Sequence, residues 1–134
     1  MMKRRVFCYL CAAVGVVAGT ITAADAQQAG LSRTVVNTVE GPGEGYHTVL
    51  VHVEIAPNFL VARHTHPGVE SSYILEGGGV LSVQGEADRT VAPGGGFQVP
   101  PETPHSLRNG PAPTRVVANY VVLKDKPLAS PAPE

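Results

Sequence analysis

Short runs of β-branched residues, interrupted by glycine and proline, constrain the fold of this 134-residue chain more than any other feature. From residue 27 onward the sequence contains 16 valines, 13 of its 15 glycines and all 12 of its prolines. Valine favours extended strands, whereas glycine and proline end strands and form turns. No window of about 11 residues shows a convincing helical period. The pattern therefore predicts an all-β fold built from many short strands.

Nine strands are predicted between these turn signals. An open sheet of that size would leave one apolar face and both edges bare, so we expect a sandwich or barrel. The second strand alternates: Val49, Val51 and Val53 share a face that we assign to the core, and His52 lies on the solvent side. The predicted strands are Leu31–Val39, Tyr46–Ile55, Phe59–His64, Ser71–Leu75, Val80–Val83, Arg89–Val91, Phe97–Val99, His105–Arg108 and Arg115–Leu123.

The first 26 residues have the composition of a secretory signal peptide. A basic start at Lys3 to Arg5 precedes an apolar run from Val6 to Gly19, and Ala24 to Ala26 forms an A-x-A cleavage site. The apolar run is too short for a membrane span, although an uncleaved membrane anchor is the alternative. We expect cleavage after Ala26, a periplasmic or secreted product and no stable membrane anchor.

Removal of this segment changes the charge and the cysteine content. The remaining chain has 7 basic and 10 acidic residues, a net charge of -3, and has lost both Cys8 and Cys11. Disulfides, a thiol nucleophile and cysteine ligands are therefore excluded from the mature protein. A basic surface for nucleic acid is also missing, so no nucleic-acid partner is expected.

Two stretches of the sequence contain potential metal ligands. His64 and His66 are two residues apart, so on a strand both imidazoles point to one side. The Pro67-Gly68 turn can return Glu70 to the same point, and His105 can join them from a later strand. Three neutral imidazoles and one carboxylate suit Fe, Mn, Ni, Cu or Zn better than Ca or Mg. The alternative is a set of exposed polar residues without a metal.

These stretches resemble the two motifs of the cupin family. From His64 to Gly77 the sequence fits H-x-H-x3-E-x6-G, and Gly94-x5-Pro100 is followed by His105 and Asn109 at the expected offsets. The resemblance implies a jelly-roll β-barrel, a double-stranded β-helix, over residues 27–123 with a divalent transition metal near its mouth. It implies that the metal is held by the matching positions His64, His66, Glu70 and His105.

Two positions depart from the family pattern. Asn58 replaces a glycine, which is a mild change because asparagine tolerates left-handed backbone. Glu102 replaces a glycine after Pro101, which suggests a turn other than type II, such as type I, before His105.

Further residues are candidates for the substrate pocket. Ser72 shares the face of Glu70 and is a possible ligand contact, and Tyr120 is either a core residue or a pocket residue. The tail, residues 124–134, is proline-rich and is predicted to be extended or mobile. Small single-domain members of the family often pair, so a homodimer through Leu31–Val39 is a candidate.

Two functions fit the sequence. The first is a metal-dependent oxidoreductase of the dioxygenase type, acting on a small oxygenated or aromatic molecule. The second is a non-catalytic periplasmic module that binds a metal or small ligand. The intact four-ligand set favours the first, and the lack of a free acid or base beside it favours the second. Metal-free isomerase chemistry ranks last because only five aromatic residues follow the signal peptide.

Overall fold

Ten strands form two antiparallel sheets in residues 28–134, the part of the chain that the computed structural model describes. The predicted signal peptide lies outside the described residues, and within them no helix is long and apolar enough to cross a membrane. The strands are β1 Leu31–Glu40, β2 Tyr46–Ile55, β3 Leu60–Thr65, β4 Gly68–Glu76, β5 Gly79–Val83, β6 Arg89–Val91, β7 Gly96–Val99, β8 His105–Asn109, β9 Thr114–Leu123 and β10 Ser130–Pro131.

The chain passes repeatedly from one sheet to the other. The first sheet has the order β1-β2-β9-β4-β7, and the second has the order β10-β3-β8-β5-β6. Strands β2, β3, β4 and β5 therefore alternate between the sheets, as in a jelly roll. The predicted all-β jelly-roll fold is confirmed.

The core lies between the two sheets and follows the predicted alternation. On β2, Val49, Val51 and Val53 are buried, and Val51 pairs with the buried Ala118 of β9. Burial of a valine side chain contributes roughly 1.5–3 kcal/mol, so this face stabilises the first sheet strongly. His52 lies on the outer face as expected, but it is only partly exposed and its Nε2 atom is buried, so it is less exposed than predicted.

A glycine makes the crossing from β3 to β4 possible. A Cβ atom on Gly68 would lie 1.9 Å from the carbonyl oxygen of Val121, so only glycine allows this approach to β9. The approach fixes the register of β4, in which Gly68 pairs with Val122 and Glu70 pairs with Tyr120. The predicted Pro67-Gly68 turn thus delivers Glu70 to the barrel interior.

Buried hydrogen bonds from Asn109 hold the C-terminal end of β8 in place. The Asn109 side-chain amide donates to backbone carbonyls, and its oxygen accepts a 2.5 Å hydrogen bond from the Thr114 hydroxyl. That hydroxyl in turn accepts from the Gly78 backbone N–H. The carbonyl acceptors belong to Ile55, Ala56 and Ala112. Asn109 therefore joins three loops, which explains its place in the motif without a role at the metal ligands.

The C-terminal tail is extended and held against the barrel. Ser130 and Pro131 form β10, which pairs with Thr65 and His64 of β3. Leu128 packs against the hydrophobic core. The expectation of an extended end is met, but a mobile end is wrong for this segment, because strand pairing and apolar burial fix it.

Candidate metal centre

The four predicted ligands come from both sheets and meet inside the barrel. His64 and His105 are directly paired on β3 and β8 of the second sheet. Glu70 projects from β4 of the first sheet, and His66 lies in the connection between β3 and β4. One potential ligand atom from each residue lies within 4.8 Å of all the others. The structure therefore brings together all four residues that the motif indicates.

Backbone carbonyls fix the tautomer of each imidazole. A carbonyl oxygen can only accept a hydrogen bond, so each Nδ1 that contacts one carries the proton. In the neutral ring the Nε2 lone pair is then free to bind a cation. The contacts are His64 Nδ1 to Ala62 at 2.7 Å, His66 Nδ1 to Leu128 at 2.6 Å and His105 Nδ1 to Thr103 at 2.9 Å.

The Glu70 carboxylate is the negative group of this cluster. Its Oε2 atom lies 3.0 Å from His66 Nε2 and 3.2 Å from His105 Nε2, and its Oε1 accepts a 2.5 Å hydrogen bond from Ser72. The contact of His105 Nε2 with Glu70 has the geometry of a hydrogen bond, whereas the buried Nε2 of His66 makes no hydrogen bond within the described residues. Four potential ligand atoms lie close together and one of them, His66 Nε2, is buried without a hydrogen bond, so the residues present fit a shared transition metal.

The protonation states also suit a metal. Burial raises the pKa of Glu70, but the imidazoles of His105 and His66, with the Ser72 hydroxyl, outweigh it and hold the pKa well below its usual range. Burial, aided by the neighbouring His105, lowers the pKa of His64 to about 4. The carboxylate is thus anionic and His64 neutral near pH 7, as metal binding requires.

Two neighbouring cavities lie beside the cluster and share part of their lining. The inner cavity, about 40 Å³, is lined by His64, Glu70 and His105 together with apolar core residues. The outer cavity, about 210 Å³, is lined partly by the C-terminal tail. Arg33 and His64 are the polar residues that line both cavities, so they lie where the two cavities adjoin.

Both candidate pocket residues line the inner cavity. Ser72 gives its hydroxyl proton to Glu70, so it orients that carboxylate. The Tyr120 ring packs against His66 with centroids 4.8 Å apart, and Arg33 lines the same cavity beside it. Burial, with the nearby Glu70 charge, raises the pKa of Tyr120 far above its usual range. A direct role of either residue in substrate binding stays a prediction.

The turn before His105 differs from the expectation. Glu102 has a φ of 55°, which is the left-handed region that type II turns require at this position. Its N–H donates to the His66 carbonyl oxygen, and the Thr103 N–H reaches the Pro100 carbonyl oxygen at 3.4 Å. The suggested type I turn is therefore wrong. These hydrogen bonds hold Glu102 in a left-handed backbone conformation that glycine adopts without steric strain. Asn58, with a φ of 57°, adopts the left-handed backbone that asparagine tolerates.

Sequence reasoning missed two residues at this site. Leu128 acts through its backbone carbonyl, so its side chain gives no signal in the sequence. Arg33 lies two residues after the buried Leu31 on the same strand, so both side chains are on the same face. This alternation was the sequence signal that could have placed Arg33 inside the barrel.

The family is established by a match over the central part of the chain. The family model described as Cupin domain matches residues 51–120, which include all four potential ligands. The chain therefore belongs to the cupin family. None of the curated protein sequences is significantly similar to it.

Solved structures of similar fold support the same architecture. The DMSP lyase DddQ from Ruegeria pomeroyi superposes with a TM-score of 0.63 at 18% identity, over 77% of this chain and 52% of the lyase. A cupin-2 domain protein from Rhodospirillum rubrum gives 0.62 at 23% identity, over 78% and 67%. A recombinant oxalate oxidase in complex with glycolate gives 0.61 at 22% identity, over 76% and 55%. The chain thus spans about half the length of the lyase and of the oxidase, and the likeness concerns the fold.

Proposed function

We propose that this cupin is an exported, metal-dependent oxidoreductase of the dioxygenase type that acts on a small oxygenated molecule. The observation that carries the proposal is the buried group of three imidazoles and one carboxylate, in which His66 Nε2 has no partner among residues 28–134. Structural metal sites are closed, whereas reactive sites keep open positions beside a cavity. Here the cluster borders the inner cavity, which supports a reactive site.

His64, His66, Glu70 and His105 would hold one Fe, Mn, Cu, Ni or Zn ion. When bound, the ion supplies a Lewis acid with one or two positions that four protein ligands leave open, and a redox-active metal also supplies electron transfer.

The protein's own residues prepare this site before any ligand arrives. Backbone carbonyls hold the three imidazoles in one tautomer, and Ser72 holds the Glu70 carboxylate. Apolar side chains of Val53, Leu81 and Val116 line the inner cavity and exclude water from it. Preorganised groups in a dry cavity interact more strongly with charge than the same groups in water.

The size of the inner cavity favours a small oxygenated molecule over an aromatic one. Its volume of about 40 Å³ is far below the roughly 150 Å³ of a cavity that accepts benzene. Only the reacting end of a substrate and a molecule the size of O₂ would fit there. The similar fold of the oxalate oxidase that binds glycolate is compatible with such a substrate.

A non-catalytic binding module is the second candidate, and one observation favours it. The groups beside the metal ligands are already engaged: Ser72 donates to Glu70, and burial keeps the Tyr120 hydroxyl protonated by raising its pKa. No other carboxylate lines the inner cavity in the described part of the chain, so a general base is missing there. Chemistry that needs proton abstraction by a side chain is therefore disfavoured.

Metal analysis and oxygen uptake test both candidates. Purified protein should contain about one transition metal per chain, and His64→Ala and His105→Ala should lose it, whereas His52→Ala, a histidine on the outer face, should retain it. Oxygen uptake by the Fe, Mn, Cu or Ni form with small hydroxy acids, diketones or phenols would support the oxidoreductase. Metal binding without oxygen uptake by any form would favour the binding module. Unchanged metal content in both site variants would show that these residues do not form a metal centre.

Export and association of two copies stay predictions. The predicted dimer strand, β1, is an edge strand with Val35, Val36 and Val39 exposed at 58%, 61% and 54%. Exposed valines on an unpaired edge support pairing with a second chain. If β1 forms the contact between two copies, light scattering should show a dimer for the wild-type protein and a monomer for Val36→Lys.

Cleavage after Ala26 is tested by N-terminal sequencing of the exported protein.

A further inference from the structure

Arg33 points into the barrel although it is a charged residue on an edge strand. It pairs with Val53, which is buried, and strand partners directly opposite each other project to the same face. Leu31, two residues earlier on this face, is a core residue. The side chain of Arg33 consequently lines both the inner and the outer cavity. Any molecule that passes from the outer cavity to the metal ligands meets this guanidinium.

Arg33 forms no ion pair within residues 28–134, although it shares the lining of the inner cavity with Glu70. Tyr120, which lines the same cavity beside it, has a neutral hydroxyl. The outer cavity has no aspartate or glutamate in its lining, but it has a second arginine, Arg63. The Nε of Arg63 is buried without a hydrogen-bond partner, while its Nη2 donates to Gln84.

This local positive charge contrasts with the rest of the molecule. Residues 27–134 have a net charge of -3, yet the ionisable lining of the outer cavity consists of Arg33, Arg63 and His64. A divalent ion beside Glu70 would add further positive charge at the inner end. A cleft lined by one sign of charge concentrates ligands of the opposite sign. The outer cavity therefore suits an anion.

We propose that Arg33 binds the carboxylate of a small organic acid whose other end carries the oxygen that reaches the metal centre. This inference rests on the proposed function, because it names the substrate class of the same site. The planar guanidinium matches a carboxylate in a two-point hydrogen bond, and the pairing of Arg33 with the buried Val53 directs it into the cavities. The outer cavity, about 210 Å³, has room for the body of a short acid, which the inner cavity lacks.

The test measures binding directly, so that it does not depend on turnover. Purified wild-type protein loaded with Co²⁺ is titrated calorimetrically with glycolate, 3-hydroxypropanoate and 4-hydroxybutanoate, and with the amide of each acid. Arg33→Gln, Arg33→Lys and the control Arg108→Gln, an exposed arginine on the outer face of β8, are titrated in parallel. Cobalt content and melting temperature are recorded for every variant.

We expect at least one acid to bind the wild-type protein and its amide to bind at least about tenfold more weakly, because the charge-assisted pair is lost. Arg33→Gln should weaken acid binding by at least about tenfold, Arg33→Lys should restore part of it, and Arg108→Gln should not change it. All variants should retain one cobalt per chain.

Three results would overturn the inference. These are binding of none of the acids, equal binding of acid and amide, or equal affinity of Arg33→Gln and wild type for the acid. Phosphoglycolamide is titrated as well, and tighter binding of this compound than of the acids would be a fourth result against the inference, in favour of a phosphate ligand. Failure of the proposed function is a separate result: a wild-type protein that retains no cobalt would remove the metal centre, and a cobalt-loaded protein that binds the acid while no metal form takes up oxygen would remove the oxidoreductase but not the role of Arg33.

Discussion

The Nδ1 atom of His66 lies 2.6 Å from the carbonyl oxygen of Leu128, a residue 62 positions later in the chain. This contact links the C-terminal tail to the candidate metal ligands. It sets the tautomer of the most buried imidazole and turns its Nε2 toward Glu70, 3.0 Å away. Partners of this kind that orient a metal-binding histidine are worth about 10–100-fold in metal affinity.

Truncation of the tail after Lys126 should therefore weaken metal binding by about 10–100-fold, because His66 loses its acceptor. Competition with a chelator of known affinity measures the change. Truncation after Ala132 is the matched control, since it keeps Leu128 and β10. Equal metal affinity of the two truncated proteins would show that the tail does not position His66.

Glu70→Gln should abolish metal binding, because it removes the one carboxylate of the cluster while it preserves the shape of the side chain. In the wild-type protein, metal at 100 times its dissociation constant should raise the free energy of unfolding by about 2.7 kcal/mol, and the variant should show no such rise. Thermal melts with and without metal measure this. Glu76→Gln, an exposed position on the same strand, should behave like wild type.

Asn109→Ala should destabilise the fold by roughly 2–4 kcal/mol, because it leaves buried backbone carbonyls and the Thr114 hydroxyl without their partner. Chemical denaturation measures the loss. Metal content of the folded variant should stay at the wild-type level, since Asn109 lies at the other end of β8 from His105. The exposed Asn37→Ala serves as control, and a similar loss there would contradict the assignment.

Glu102→Gly should stabilise the protein by roughly 0.5–1 kcal/mol, because glycine adopts a positive φ without steric cost. Glu86→Gly, at an exposed turn position without a positive φ, should instead lower stability slightly. Denaturant midpoints of both variants test the comparison. A loss of stability in Glu102→Gly would mean that the glutamate side chain makes a larger contribution than the backbone.

Alkaline pH should destabilise the barrel through Tyr120. Its pKa is raised in the folded protein by burial and by the charge of Glu70, so the folded state holds this proton more tightly than the unfolded state. By linkage the free energy of unfolding is unaffected well below a pH of about 10 and decreases above it. Stability measured against pH should fall less steeply above about pH 10 in Tyr120→Phe. Ultraviolet titration should show the same phenolate signal for the folded forms of both proteins.

Much of the barrel could be predicted because local signals and the global fold agree. The alternation of Val49, Val51 and Val53 reports a strand with one buried face, and nearby glycine and proline mark its ends. β4 begins three residues earlier than predicted, at Gly68, because its first residues gain their order from contact with β9. The nine predicted strands correspond to β1 to β9.

The remaining features depend on tertiary contacts that single residues do not encode. β10 contains a proline, which argues against a strand, and it forms because β3 offers an unpaired edge. Glu102 adopts a glycine-like backbone because hydrogen bonds to His66 and within the turn outweigh its local preference. The four ligands were predictable from spacing, whereas the hydrogen-bond partners that orient them come from distant or backbone positions.

His64 and His105 pair directly on one sheet, and Glu70 lies opposite them on the other sheet. This arrangement affects how the two sheets can separate. An ion held by all three would be a reversible cross-link between the two layers, in a protein whose residues 27–134 contain no cysteine for a covalent one. Unfolding by separation of the layers would then require release of the ion. Resistance of the protein to proteases would therefore depend on the free metal concentration around it.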